Sequence, residues 1–145
     1  AAVVNRLVNL GAKVVVSNLP DMGMSPYARA EKVASTDIDR AALITRLTAA
    51  FNDALGTTVL LDGRFVGLVQ ADLRTQAAQR SPASFGLVDV GSAVCTVELP
   101  NCTTGTLLTG ADANQYLWAD ATRLGAGGHS LLASTAIDRA RSNPF

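Results

Sequence analysis

Residues 13–17, Lys-Val-Val-Val-Ser, place three consecutive β-branched residues in the middle of a five-residue run. A run with no polar residue between its ends cannot alternate between a wet face and a dry one. It is the pattern of a short strand covered on both sides, as strands of parallel sheets are. Before it, Val3, Val4, Leu7 and Leu10 recur at the spacing of a helix face, and Gly11 follows as a helix stop. A second run of the buried type, Thr-Thr-Val-Leu-Leu at 57–61, comes after a longer helical stripe of Leu43, Ile44, Leu47, Ala50, Phe51, Ala54 and Leu55, which Gly56 ends. Helix and parallel-type strand therefore alternate, which predicts an α/β chain with helices layered on a sheet.

The remaining segments are less regular. Residues 18–27 hold two prolines and a glycine and read as a loop at the end of the first strand. Ser35 or Thr36 can cap the long helix, with Asp37 and Asp39 favouring its positive end. Asp62-Gly63 marks a turn. Val66, Val69, Leu73 and Ala77 suggest a further helix, closed by Ser81-Pro82. Residues 85–90 read as a short extended segment and 91–114 as a long loop. Residues 116–120 lead into a last helix with His129, Leu132, Ala133, Ala136, Ile137 and Ala140 on one face. Only two strands are expected, and two parallel strands do not make a stable sheet alone. Either the chain self-associates through an open edge, or a segment it does not contain supplies the central strands. The second alternative is the expectation adopted, so residues 1–145 are read as the C-terminal portion of a single domain.

Apolar residues make up 48% of the sequence, enough for a core. The 12 basic and 12 acidic residues cancel, and no basic stripe recommends a nucleic-acid partner. No run reaches the ~18 apolar residues of a spanning helix, so no transmembrane segment is expected. Two cysteines, Cys95 and Cys102, and one histidine, His129, fall short of the four ligands of a structural zinc site, and no metal site is expected. The cysteines are read as a disulfide closing a short loop, which places the chain in an oxidising compartment, extracellular or periplasmic. Two buried free thiols in a cytosolic protein are the alternative.

Taken in order, several segments resemble the GDSL branch of the SGNH ester hydrolases. These are VNRLVNLGAKVVVSNLPDMGMSP, then FNDAL with VLLD, then FGLVDV with the downstream cysteine pair, and finally YLWAD followed by GHSLLA. The resemblance covers essentially the whole chain and resembles the C-terminal half of that family. It implies a three-layer α/β/α, flavodoxin-like sheet, incomplete here, with catalytic residues on loops at the C-terminal ends of the strands. It implies a secreted lipase or esterase acting through a Ser-His-Asp arrangement, with no cofactor. The family's serine, in a GDS motif, and its oxyanion-hole segments have no counterpart in these residues. They belong to the expected N-terminal segment, and the partners implied are that segment, or self-association, and an ester substrate.

One departure matters. Asp120 matches the Asp of the family's Asp-x-x-His pair, but the residue three positions on is Arg123. The base must take the serine's proton and return it to the leaving alcohol, and a guanidinium has no lone pair to accept one. His129, six residues beyond Arg123, is the remaining candidate. On a helix it would lie about 9 Å further along the axis, unless the glycine-rich run 125–128 delivers it differently. A structural role on the apolar stripe is the competing reading of His129. Asp120 orients an imidazole, or else pairs with Arg123 or caps the last helix. Asn18, Asp21 and Met24 lie on the loop that would border the substrate cleft, although turn chemistry explains Asn and Asp there equally well. Trp118 lines an acyl pocket or belongs to the core. A domain that has lost turnover and kept a binding or surface role is the alternative function, motivated by Arg123.

Overall fold

The computed structural model describes residues 1–59, 61 and 63–142. Helix α1 (Ala2–Asn9) leads through Gly11, at φ +80°, into strand β1 (Val14–Ser17). Helix α2 (Pro26–Ala34) and helix α3 (Arg40–Thr58) follow, and strand β2 (Val66–Val69) returns parallel to β1 with Val14 opposite Val66 and Ser17 opposite Val69. Helix α4 (Ala71–Arg80), strand β3 (Asp89–Ala93), strand β4 (Tyr116–Trp118) and helix α5 (Ala126–Ser142) complete the order. Strands β3 and β4 form a second parallel pair. Helix α5 packs against β1, β2 and β4 and so ties both small sheets together.

The mixed helix-and-strand architecture with parallel sheets agrees with the α/β class. Four differences from the sequence reading have physical causes. Thr57 and Thr58 belong to α3 rather than to a strand, because both hydroxyls donate back to the Ala54 carbonyl and so satisfy the last turn. Val59 caps that helix, and Leu60 lies outside the described residues, as does Asp62 of the expected turn. The second strand is instead Val66–Val69, read from sequence as the start of a helix; four apolar residues are too few for periodicity to decide. Helix α2 begins within the stretch read as a loop for its two prolines, yet Pro26 occupies the first turn and the Ser25 hydroxyl accepts from the Ala28 amide, both favourable at a helix start. Asp39, not Ser35 or Thr36, caps α3.

The fourth difference concerns residues 89–93, where Gly91 and Ser92 are poor strand formers. Pairing with β4 holds them extended, helped by the Trp118 indole donating to the Val90 carbonyl at 3.1 Å. The main core consists of Ala78, Leu87, Leu117 and Trp118, with Met22, Met24 and Leu131 against them. Trp118 is therefore core. Gly127 and Gly128 form the first turn of α5, and a side-chain carbon on either would come within 2.5 Å of a backbone carbonyl, of Asn114 and Leu117 respectively. The glycine run thus serves close helix–strand packing, not flexibility.

Among the described residues, strand β1 has β2 on one side only. Val14 and Asn18 donate to Phe65 and Val69, so in a parallel ladder the intervening Val15 and Ser17 turn their backbone groups toward the open edge. No residue of β1 is buried, and Val15 is 41% exposed. Helix α1 buries no residue either and leaves Val3 and Leu10 largely exposed. No helix among the described residues is long and apolar enough to cross a membrane.

Candidate functional site

The loop after β1 is bound into the protein interior. The Asn18 amide donates to Asp72 Oδ1 at 2.7 Å while the Asp72 backbone amide donates to Asn18 Oδ1 at 3.2 Å. Asn52, on α3, exchanges two 2.9 Å hydrogen bonds with the backbone of Leu19. Asp21 is buried. Its carboxylate accepts from the Gly23 amide at 3.0 Å, the Thr45 hydroxyl at 2.9 Å and the Gln76 amide at 3.2 Å. Gly23 is needed there, since a side-chain carbon would lie 2.7 Å from the Thr45 backbone nitrogen. Met24 is half-buried against the Trp118 cluster. Asn18, Asp21 and Met24 thus direct their side chains inward; Asp21 shows the expected turn chemistry through the Gly23 amide, whereas Asn18 is held by Asp72, 54 residues along the chain. Asn52, Asp72, Thr45 and Gln76, which hold the loop, carried no sequence signal because they lie 20 to 55 residues from their partners.

Asp120 follows β4 and is 3% exposed. One carboxylate oxygen accepts from the backbone amides of Thr122 at 3.0 Å and Arg123 at 2.8 Å. The other accepts from the Leu99 amide at 3.1 Å and from the Arg123 guanidinium at 2.8 Å. The same guanidinium donates to the Leu99 carbonyl at 2.9 Å. Burial by itself would raise the Asp120 pKa. The three backbone amides and the guanidinium outweigh it and hold the carboxyl below its ordinary value. Asp120 is thereby the partner of Arg123, one of the alternatives open from sequence, and no hydrogen bond joins it to His129.

His129 sits in the first turns of α5, its backbone amide bonded to Gly125. It is exposed, and among the described residues its imidazole makes no hydrogen bond. Helical spacing put it on a stripe with Leu132, Ala133 and Ala136, and the four do share a face. That face is not covered. It borders a groove of about 430 Å³ with Val15, Ser17 and Val69 at the open edge of β1. On its other side His129 lines a pocket of about 250 Å³ with Val94, Cys95, Leu99, Cys102, Leu107, Ala113, and Ala126. The single imidazole therefore stands where two apolar depressions meet. A separate hollow between α4 and α5 is lined by Arg74, Asp138 and Arg139 and touches neither.

Cys95 and Cys102 form a disulfide. The bridged segment is held to the second sheet by the Cys95 amide, which donates to Ala119, and encloses a small core of Val94, Cys95 and Ala119. Closing so short a loop removes about 2.5 kcal/mol of unfolded-state entropy on the chain-entropy model. A Cys95→Ser, Cys102→Ser variant is accordingly expected to lose about 2 to 3 kcal/mol in a urea titration, and an unchanged midpoint would show that the bridge adds nothing. Among the described residues no three His, Cys, Asp or Glu side chains converge as metal ligands would. In comparisons with known proteins, no family model matches the chain and no curated protein matches it.

Proposed function

We propose that the chain is the C-terminal lobe of a secreted SGNH/GDSL-type serine ester hydrolase, of lipase or esterase type, whose nucleophile and central strands come from a segment it does not contain. The observation that carries this reading is the position of His129. It is an exposed imidazole between two apolar depressions, at a strand edge whose backbone groups await a partner. The ordered resemblance of 1–145 to that family and the disulfide, which suits an oxidising compartment, support it.

The chemistry follows from the residues. A serine brought to the β1 edge attacks the ester carbonyl as its proton passes to an imidazole nitrogen of His129. The tetrahedral intermediate collapses, the carbon–alkoxide bond breaks, and the imidazolium returns the proton to the departing alkoxide. Water repeats the sequence on the acyl-enzyme. Asp120 takes no part as orienter. Its role is to hold Leu99 and the 120–123 turn beside the pocket. The completed polypeptide is expected to hydrolyse p-nitrophenyl butyrate and this chain alone is not; absence of hydrolysis by the completed polypeptide would defeat the proposal.

The second reading is a domain of the same descent that binds without turnover. It is favoured by Arg123 standing where the resemblance calls for the base, with Asp120 fully engaged by it. It expects a folded, completed polypeptide that binds esters and leaves them intact.

A further inference from the structure

The pocket walled by the disulfide is a depression open to solvent on one side, lined by residues 94–126 and His129 and set apart from the open edge of β1. Its walls are Val94, Leu99, Leu107, Ala113 and the Cys95–Cys102 bridge, and among the described residues the one polar side chain at its rim is His129. The bridge and the amide of Cys95 fix the segment that forms it, so the pocket exists before any ligand arrives. At about 250 Å³ it exceeds the ~150 Å³ that admits benzene and falls below the ~300 Å³ at which drug-sized sites begin. Giving each methylene roughly the ~30 Å³ share of a water molecule, it holds at most about eight carbons.

We infer that this pocket binds the acyl chain of a medium-length aliphatic ester, about eight carbons long, with the carboxyl carbon at His129. The alkoxy side then lies toward the groove of Val15, Leu132 and Ala136, on the other side of the same imidazole. An all-apolar wall offers nothing to a sugar or peptide, whose polar groups would be buried without partners. The inference rests on the proposed ester hydrolysis for its substrate, but the binding itself needs no turnover.

The test is titration of the chain with octanoate and butyrate, followed by amide chemical shifts. Octanoate is expected to shift Val94, Leu107 and His129 and to bind more than tenfold tighter than butyrate, since each buried methylene adds roughly fourfold. Ala113→Trp fills the pocket and is expected to weaken octanoate binding at least tenfold. Ala126→Trp, at an exposed position on the rim, does the same should the first variant fail to fold. Arg74→Trp, in the separate hollow between α4 and α5, is expected to leave the affinity within twofold. Shifts confined to the groove, equal affinity for the two acids, or indifference to both pocket variants would each overturn the assignment. Octanoate binding with no ester hydrolysis would leave the pocket standing and remove the hydrolase. Hydrolysis with no octanoate binding in the pocket would do the reverse.

Discussion

Asp120→Ala is expected to melt about 6 to 12 °C below the unaltered chain at pH 7, a loss of about 3 kcal/mol at the 2 to 4 °C per kcal/mol usual near this size. The magnitude follows from what the side chain satisfies. Three backbone amides, of Leu99, Thr122 and Arg123, donate to one buried carboxylate, and removal leaves them without that acceptor. Each charged hydrogen bond adds about 1.5 to 3 kcal/mol, and water reaching the truncated site returns part of the total. The Arg123 guanidinium matters less, because it is 52% exposed and solvent screens the pair.

The pH dependence has a definite sign. The folded pKa of Asp120 lies below the ordinary 3.8, so its stabilisation is present above that value and disappears as pH falls through the lower folded one. The gap between Asp120→Ala and the unaltered chain should therefore be constant from pH 7 down to about 5 and shrink below about 4. Asp89 is also lowered: burial would raise it, but the amides of Gly91 and Ser92, the Ser92 side chain and the charge of Arg29 prevail. It titrates in the same window in both proteins, so the difference between melts isolates Asp120. A gap that stays constant to pH 2 would show that the carboxylate charge is not what the clasp depends on.

His129→Ala is expected to lower kcat/KM of the completed polypeptide for an ester about a thousandfold, roughly 4 kcal/mol of transition-state stabilisation, within the range that general acid–base groups supply. The same substitution should shift stability by no more than about 0.5 kcal/mol, because the imidazole is exposed and makes no hydrogen bond among the described residues. The two readouts separate the readings. Lost hydrolysis at unchanged stability places His129 in the chemistry. Unchanged hydrolysis removes it, and lost stability would reveal a packing role.

What the sequence disclosed and what it hid divide along physical lines. KVVVS was legible as a strand because three β-branched residues in a row fit little else, and α5 because its apolar spacing persists over four turns. The exchange of TTVLL for VGLV was not, since runs of four or five apolar residues fit helix and strand alike and Thr57 and Thr58 finish a helix by bonding back to Ala54. At the site, periodicity correctly grouped His129 with Leu132, Ala133 and Ala136. It says which residues share a face and nothing about whether that face is covered, so the sequence alone favours a packed histidine where the structure has an exposed one. The Asp120–Arg123 pair was visible as i, i+3 neighbours, but the Leu99 amide that completes it lies 21 residues away. The inward turn of Asn18 and Asp21 likewise depends on Asp72 and Gln76, which only the fold brings near.

The central claim is that this chain supplies the base and the binding lobe while another segment supplies the nucleophile. Intact-mass spectrometry of the completed polypeptide after a fluorophosphonate, followed by peptide mapping, tests it most directly. One phosphonate adduct is expected, on a serine outside residues 1–145, formed much more slowly when His129 is replaced by Ala. An adduct on Ser17, which shares the groove with His129, would contradict the claim, as would a folded polypeptide that gains no adduct at all.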